Sequence, residues 1–134
     1  MNLRRINILI VLVALTVPLF GHHAGYFDQN KVVELSGTVT RFEWTNPHSF
    51  LYLDIQKPDG VIEHWTIEGR SPNQLRRSGW SAGPIVPGET VIVVGRPPRD
   101  ASRLAGSLAK FLGAGSIELP SGQKLAFGPA LQND

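Results

Sequence analysis

The periodicity of the apolar residues is the feature that most constrains the fold of this chain. Apolar and polar side chains alternate over residues 33–39 and again over residues 51–55. A period of two is typical of β-strands that bury one face, because successive side chains point to opposite sides of a strand. Near Thr40 and Arg41 the alternation changes phase, which predicts a β-bulge or a sharp bend. We therefore expect a mostly β fold whose first strand serves two faces.

Turn residues separate the second strand from a third. Residues 57–60, with the sequence KPDG, are a strong hairpin signal. In the returning strand, residues 61–68, the apolar spacing predicts that Val61, Trp65 and Ile67 point inwards. A buried Trp65 also agrees with the usual large burial of tryptophan.

A short helix and further strands complete the pattern. The helix is predicted over residues 71–79, because Ser71 can cap its start and Gly79 can end it. Residues 90–95 form a continuous apolar strand that we expect near the centre of the sheet. Residues 117–127 contain a turn between two short apolar runs and predict a final hairpin.

The order of these elements indicates the fold class. Strands, a short helix and strands again form the order of a small OB-like five-stranded barrel with its helix between strands 3 and 4. A bent first strand is also what such a barrel requires. A small β-sandwich is the alternative. We assign the barrel domain to residues 33–128, an extended N-terminal arm to residues 22–32 and a tail to residues 129–134.

The first 21 residues have the three regions of a secretory signal peptide. Positive charge near the start precedes an apolar run, residues 6–20, and a small residue, Gly21, ends the segment. The alternative is an uncleaved N-terminal anchor, although the apolar run is short for a membrane span, which usually needs roughly 20 residues. We expect cleavage after Gly21, or after Ala24, and a mature protein that is exported to the periplasm. Contact with the membrane is then expected only during export.

The charge balance and the cysteine count exclude several classes of function. Arg4 and Arg5 belong to the segment that we expect to be removed, which leaves 11 of the 13 Lys and Arg against 11 Asp and Glu. A near-neutral domain gains little from phosphate counterion release, so we expect no nucleic-acid partner. The chain has no cysteine, which excludes disulfides and thiolate metal sites.

Several motifs together carry a resemblance that covers nearly the whole mature chain. The segment Trp44-Thr45-Asn46-Pro47-His48 is the most specific of them. The other motifs are His22-His23, Phe27-Asp28, Gly37-Thr38-Val39, Trp65 with Glu68, Leu75 to Gly79-Trp80, and Pro87-Gly88-Glu89-Thr90-Val91. The chain resembles a family of small exported bacterial proteins classed as a domain of unknown function. The resemblance implies export and no assigned activity. Such proteins often carry Ala before the His pair, whereas this chain has Gly21.

Histidines are the residues from which a metal site could be built. If cleavage falls after Gly21, His22 becomes the N-terminal residue, and its α-amine and imidazole could chelate one ion. His23 and His48 could supply further nitrogen ligands. Because imidazole and amine nitrogens suit Cu(II) best among the divalent ions, we predict a copper site formed by these three histidines. In the alternative interpretation the His pair lies on a solvated arm and the His48 ring fixes its loop by bonding a turn carbonyl.

The remaining histidine does not fit this site. His64 and Glu68 lie four residues apart on one strand, roughly 13 Å by strand rise, so they cannot bind one ion together. We expect His64 to be a surface cross-strand partner.

Aromatic residues support an alternative function. OB barrels bind ligands with exposed aromatic side chains on one face, and Trp44 and Tyr52 fall on strands of that face. The ligand would be a small molecule or another envelope protein. The competing interpretation is that these rings fill the core.

No catalytic signature stands out. Ser49 and His48 are adjacent on an extended segment and would point to opposite faces, and nothing brings Asp54 and Glu68 together. Five arginines are dispersed and predict a solvated surface: Arg70, Arg76, Arg77, Arg96 and Arg99. We therefore predict an exported, non-enzymatic binding module, with a copper site as the specific hypothesis.

Overall fold

Six strands and one α-helix make up the part of the chain that the structure describes. The computed structural model describes residues 25–81, 83, 85–104 and 110–131, so the predicted signal peptide, His22 and His23 lie outside the described residues. The elements are β1 (Val33–Glu43), β2 (Phe50–Gln56), β3 (Ile62–Glu68), α1 (Pro72–Arg77), β4 (Thr90–Arg96), a 3-10 turn (Ala101–Arg103), β5 (Phe111–Glu118) and β6 (Lys124–Ala126).

The strands form a closed barrel. Their order in the sheet is β3-β2-β1-β4-β5-β6, and a parallel pairing of β3 with β5 closes the ring. In that pairing Thr66 lies opposite Phe111 and Glu68 lies opposite Gly113. The predicted fold class is confirmed: the barrel has five strands, the helix lies between strands 3 and 4, and β6 is one extra strand. Closure also separates this fold from the sandwich alternative.

A bulge in β1 lets one strand serve two sides of the barrel. The pairing of β1 with β2 changes register between Val39 and Arg41, where the sequence predicts it. The first half of β1, from Val33 to Thr38, pairs with β4, and the second half pairs with β2. Beyond the bulge Phe42 turns towards the core and contacts Trp80.

The helix begins and ends as the sequence predicts. The Ser71 hydroxyl accepts from the backbone N–H of Gln74, and the Gln74 side chain accepts from the backbone N–H of Ser71, which forms a capping box. Gly79 follows the helix with a φ of 91°, a left-handed conformation that glycine adopts without strain. Trp80 then enters the core, and its Nε1–H donates to the Ala126 carbonyl over 2.8 Å.

The core consists mostly of aliphatic side chains, and one inward prediction is wrong. Leu51, Leu53 and Ile67 are almost fully buried, and Trp65 packs against them from a half-buried position. Val61, predicted to point inwards, is 56% exposed. It lies beside the hairpin turn, where its N–H donates to Asp59, and therefore stands outside the barrel wall.

Candidate functional site

The N-terminal arm packs across one end of β4 and β5. Phe27 forms an isolated bridge with Pro98, and the Asp28 N–H donates to the Pro97 carbonyl over 2.8 Å. The Phe27 ring stacks on the Phe111 ring at 5.9 Å between centroids. It also covers Gly113, because a Cβ at that position would come within 2.6 Å of the ring. The arm is thus fixed against the barrel at Phe27.

His48 reaches Glu68 because the β2–β3 pairing continues beyond the strands. Phe50 lies opposite Glu68 in the ladder, and the Ser49 N–H donates to the Arg70 carbonyl over 3.0 Å. The Thr45 hydroxyl donates to the His48 carbonyl over 2.7 Å and holds the loop. The Nδ1 atom of His48 is hydrogen-bonded to the Glu68 carboxylate oxygen Oε1. Both side chains are partly buried, with exposed fractions of 31% and 18%.

A pocket of about 530 Å³ opens beside this pair. Such a volume lies within the range of ordinary ligand pockets, about 300–1,000 Å³. The polar part of its wall contains Gln29, His48, Glu68, Arg70, Gln74 and Arg96. The apolar part contains Phe27, Ala114, Pro129 and Leu131, together with three glycines. The pocket therefore combines an apolar wall with a few convergent polar groups, the usual composition of a small-molecule site.

Two arginines in this wall correct a prediction. Arg70 and Arg96 were expected on a dispersed, solvated surface, yet both are half-buried and line the same pocket. Arg96 extends from the end of β4 and donates through its guanidinium to the Gln29 side-chain oxygen. Arg70 follows the end of β3 after one residue, Gly69. The ends of two strands that are distant in sequence meet at the pocket because β3 and β4 both neighbour β5.

The bond between His48 and Glu68 determines which ring nitrogen of His48 carries the proton. Because the Nδ1–H donates to a carboxylate, the other ring nitrogen, Nε2, carries the lone pair. A carboxylate partner also fixes the orientation of the imidazole, as it does for histidines that bind metals. The geometry therefore suits either a metal ligand or a hydrogen-bond acceptor at Nε2.

The described residues include one of the three predicted copper ligands. His22 and His23 lie outside the described residues, so the structure describes His48 alone among the three. Within the described ranges no group of three or more His, Cys, Asp or Glu side chains is placed to hold a metal ion. The Nδ1–H of His64 donates to Asp54 Oδ1 over 2.6 Å across β2 and β3, and the His64 side chain is 79% exposed, which confirms it as a surface cross-strand partner.

The two predicted aromatic ligand residues do not lie together. Trp44 packs edge-on against Phe42 and Trp80, beside the core. Tyr52 lies in the opposite phase from the buried Leu51, beneath the Arg41 guanidinium, whose carbon lies 4.0 Å from the ring centroid. The two rings therefore belong to separate surroundings.

Sequence reasoning missed the partnership of His48 with Glu68 and the convergence of Arg70 with Arg96. One signal could have found the first. The KPDG turn fixes the hairpin register, which places Asp54 opposite His64 and Phe50 opposite Glu68. Continuing that register by two residues sets His48 opposite Arg70, on the same face as Glu68 and diagonal to it. No comparable local signal points to Arg96.

The comparisons with known proteins give a family without an assigned role. The chain matches the Family of unknown function (DUF6152) over residues 10–107, which is more than half of its length. No curated protein matches the chain. Among the described residues, no helix has the length and apolar character needed to cross a membrane.

Proposed function

We propose a role for this chain, which belongs to the DUF6152 family of unknown function, on the basis of the pocket beside His48. The protein is an exported, non-enzymatic binding module of the periplasm. Its pocket takes up a transition metal ion, copper, with His22, His23 and His48 as ligands. The observation that supports this proposal is the His48–Glu68 pair in the pocket wall.

His48 is a suitable ligand because its ring is held in place before any ion arrives. The bond from Nδ1 to the Glu68 carboxylate leaves the Nε2 lone pair on the far side of the ring, and partial burial limits the rotamers of the ring. Less side-chain entropy is then lost on binding than for an exposed histidine. His64, which is also paired to a carboxylate, is 79% exposed at its side chain and does not belong to the wall of this pocket.

The short stretch of chain between the predicted N-terminal histidines and the pocket wall supports this proposal. Phe27 lines it, and His23 precedes Phe27 by four residues. Four residues of extended chain span at most about 14 Å. After cleavage at Gly21, the α-amine and imidazole of His22 would join the His48 imidazole, and such nitrogen donors favour Cu(II) over the other divalent ions.

The test is a calorimetric titration of Cu(II) into protein that has undergone its natural processing. The intact mass of the same sample locates the N-terminus. We expect one tightly bound ion per chain, weakened strongly in His48→Ala and unchanged in His64→Ala, the matched control. Equal binding in wild type and His48→Ala would restrict the metal to the N-terminal residues and overturn the pocket site.

A further inference from the structure

We infer that the same pocket binds a small organic anion, whose acidic group is held by Arg70 and whose apolar body lies against Phe27 and Leu131. This inference goes beyond copper uptake and does not depend on it. The ligand class is a molecule with one carboxylate, sulfonate or phosphate group and an apolar part about the size of two fused rings.

The charges in the wall favour an anion. Arg70 and Arg96 are the cations of the pocket, against Glu68 as its carboxylate, and Glu68 is already bonded to His48. Among the ion pairs of the described residues, none joins a carboxylate to Arg70. A half-buried guanidinium without an anionic partner attracts an anion more strongly than an exposed one, because the surrounding dielectric constant is lower.

Arg70 is also fixed by its backbone. Its N–H donates to the Phe127 carbonyl over 2.8 Å, and its carbonyl accepts from the Ser49 N–H. These bonds anchor the residue between the end of β3 and the helix. A guanidinium presents several donors in one plane, which match the oxygens of a carboxylate, sulfonate or phosphate group.

The apolar wall explains why the ligand is more than a free inorganic anion. Leu131 packs over Gly115, where an added Cβ would meet its side chain at 2.5 Å, and Phe27 packs over Gly113. Phe27 and Leu131 therefore pack on the glycines of β5 and also line the pocket. A volume of about 530 Å³ leaves room for an organic body against them. The near-neutral mature chain argues against a large polyanion.

Two fluorescent probes isolate the role of the acidic group. 8-Anilinonaphthalene-1-sulfonate and N-phenyl-1-naphthylamine share one aromatic skeleton and differ by the sulfonate. The titration uses the naturally processed protein after removal of metal by a chelator. We expect the sulfonate probe to bind one to one and about tenfold or more tightly than the neutral probe, as a charge-assisted hydrogen bond permits.

Variants assign this difference to Arg70. We expect Arg70→Gln to abolish the preference for the sulfonate while it leaves the neutral probe unaffected, and Arg70→Lys to keep part of the preference. Arg77→Gln, on the exposed end of the helix, is the control and leaves both affinities unchanged. Equal affinities of the two probes for wild type, no binding of the sulfonate probe, or equal losses in the Arg70 and Arg77 variants would each overturn the inference. Copper titrations of the same proteins are measured separately, so a negative result with the fluorescent probes leaves the proposed copper site untouched.

Discussion

The Nδ1 atom of His48 is hydrogen-bonded to the Glu68 carboxylate, although the two residues lie 20 positions apart in the chain. The hairpin register that sets Phe50 opposite Glu68 brings them together. This bond joins the loop before β2 to the end of β3 at the edge of the pocket. The functional proposals both depend on this junction, because it positions an imidazole and leaves Arg70 as its neighbour.

Replacement of the Glu68 carboxylate by an amide is expected to weaken copper binding. Glu68→Gln keeps the shape of the side chain but removes the negative charge that supports the imidazole. Loss of such a partner typically lowers metal affinity by about 10–100-fold. Competition with a chelator of known copper affinity measures the change. Asp54→Asn, which alters the exposed His64 pair, should leave the affinity unchanged; a similar loss in both variants would contradict this role for Glu68.

The arm and the pocket are coupled through Gly113. A Cβ at this position would lie 2.6 Å from the Phe27 ring, so Gly113→Ala must displace the ring. We expect a loss of about 1–3 kcal/mol in the free energy of unfolding, as for other overpacked sites, together with weaker copper binding. Denaturant unfolding and copper titration measure the two effects. Gly25→Ala, where no atom lies within 4 Å of the added Cβ, should change neither.

Tyr52 gives the protein a pH dependence in the alkaline range. Burial, followed by the hydrogen bond to Glu43 and the Glu43 charge, raises the pKa of Tyr52 above its ordinary value of 10.0. Because the pKa of Tyr52 is higher in the folded than in the unfolded state, its contribution to the free energy of unfolding is complete below the unfolded pKa. It is lost as the pH rises through the folded pKa. We therefore expect the free energy of unfolding to fall above about pH 10.

Ultraviolet absorbance of the phenolate measures this pKa directly. The chain has two tyrosines, so a Tyr26→Phe background leaves Tyr52 as the reporter. Glu43→Gln should move the midpoint back towards the ordinary value. A midpoint at or below 10.0 in the Tyr26→Phe protein would contradict the structure around Tyr52.

The helix cap is expected to contribute measurably to stability. Ser71→Ala removes the hydroxyl that accepts from the Gln74 N–H, which should lower the free energy of unfolding by about 1 kcal/mol. Thermal unfolding followed by circular dichroism tests this value. Asn73→Ala, an exposed position within the same helix, leaves the cap intact and should not reproduce the loss.

Local signals in the sequence predicted most of the barrel. The phase change at Arg41 marks the bulge, the KPDG turn gives the second hairpin, and Ser71 with Gly79 bounds the helix. Each of these features depends on neighbouring residues and on backbone preferences, so a single sequence carries them. Val61 was misplaced because alternation alone does not show where a strand leaves the barrel wall.

The site was harder to predict because it is assembled from distant segments. Glu68, Arg70 and Arg96 meet only when β3 and β4 both neighbour β5, and the parallel closure of β3 on β5 has no local signature. His48 was singled out from its residue type, but its carboxylate partner required the hairpin register. Trp44 and Tyr52 were predicted on one face, but Trp44 packs against Phe42 and Trp80 whereas Tyr52 lies beneath Arg41.

The most direct test of the copper site is pulsed electron paramagnetic resonance on the Cu(II)-loaded, naturally processed protein. Spin-echo modulation detects the remote ring nitrogen of each imidazole bound to copper and therefore counts histidine ligands. We predict that His48→Ala loses the contribution of one imidazole, whereas His64→Ala gives the wild-type spectrum. A His48→Ala spectrum identical to that of the wild type would contradict it.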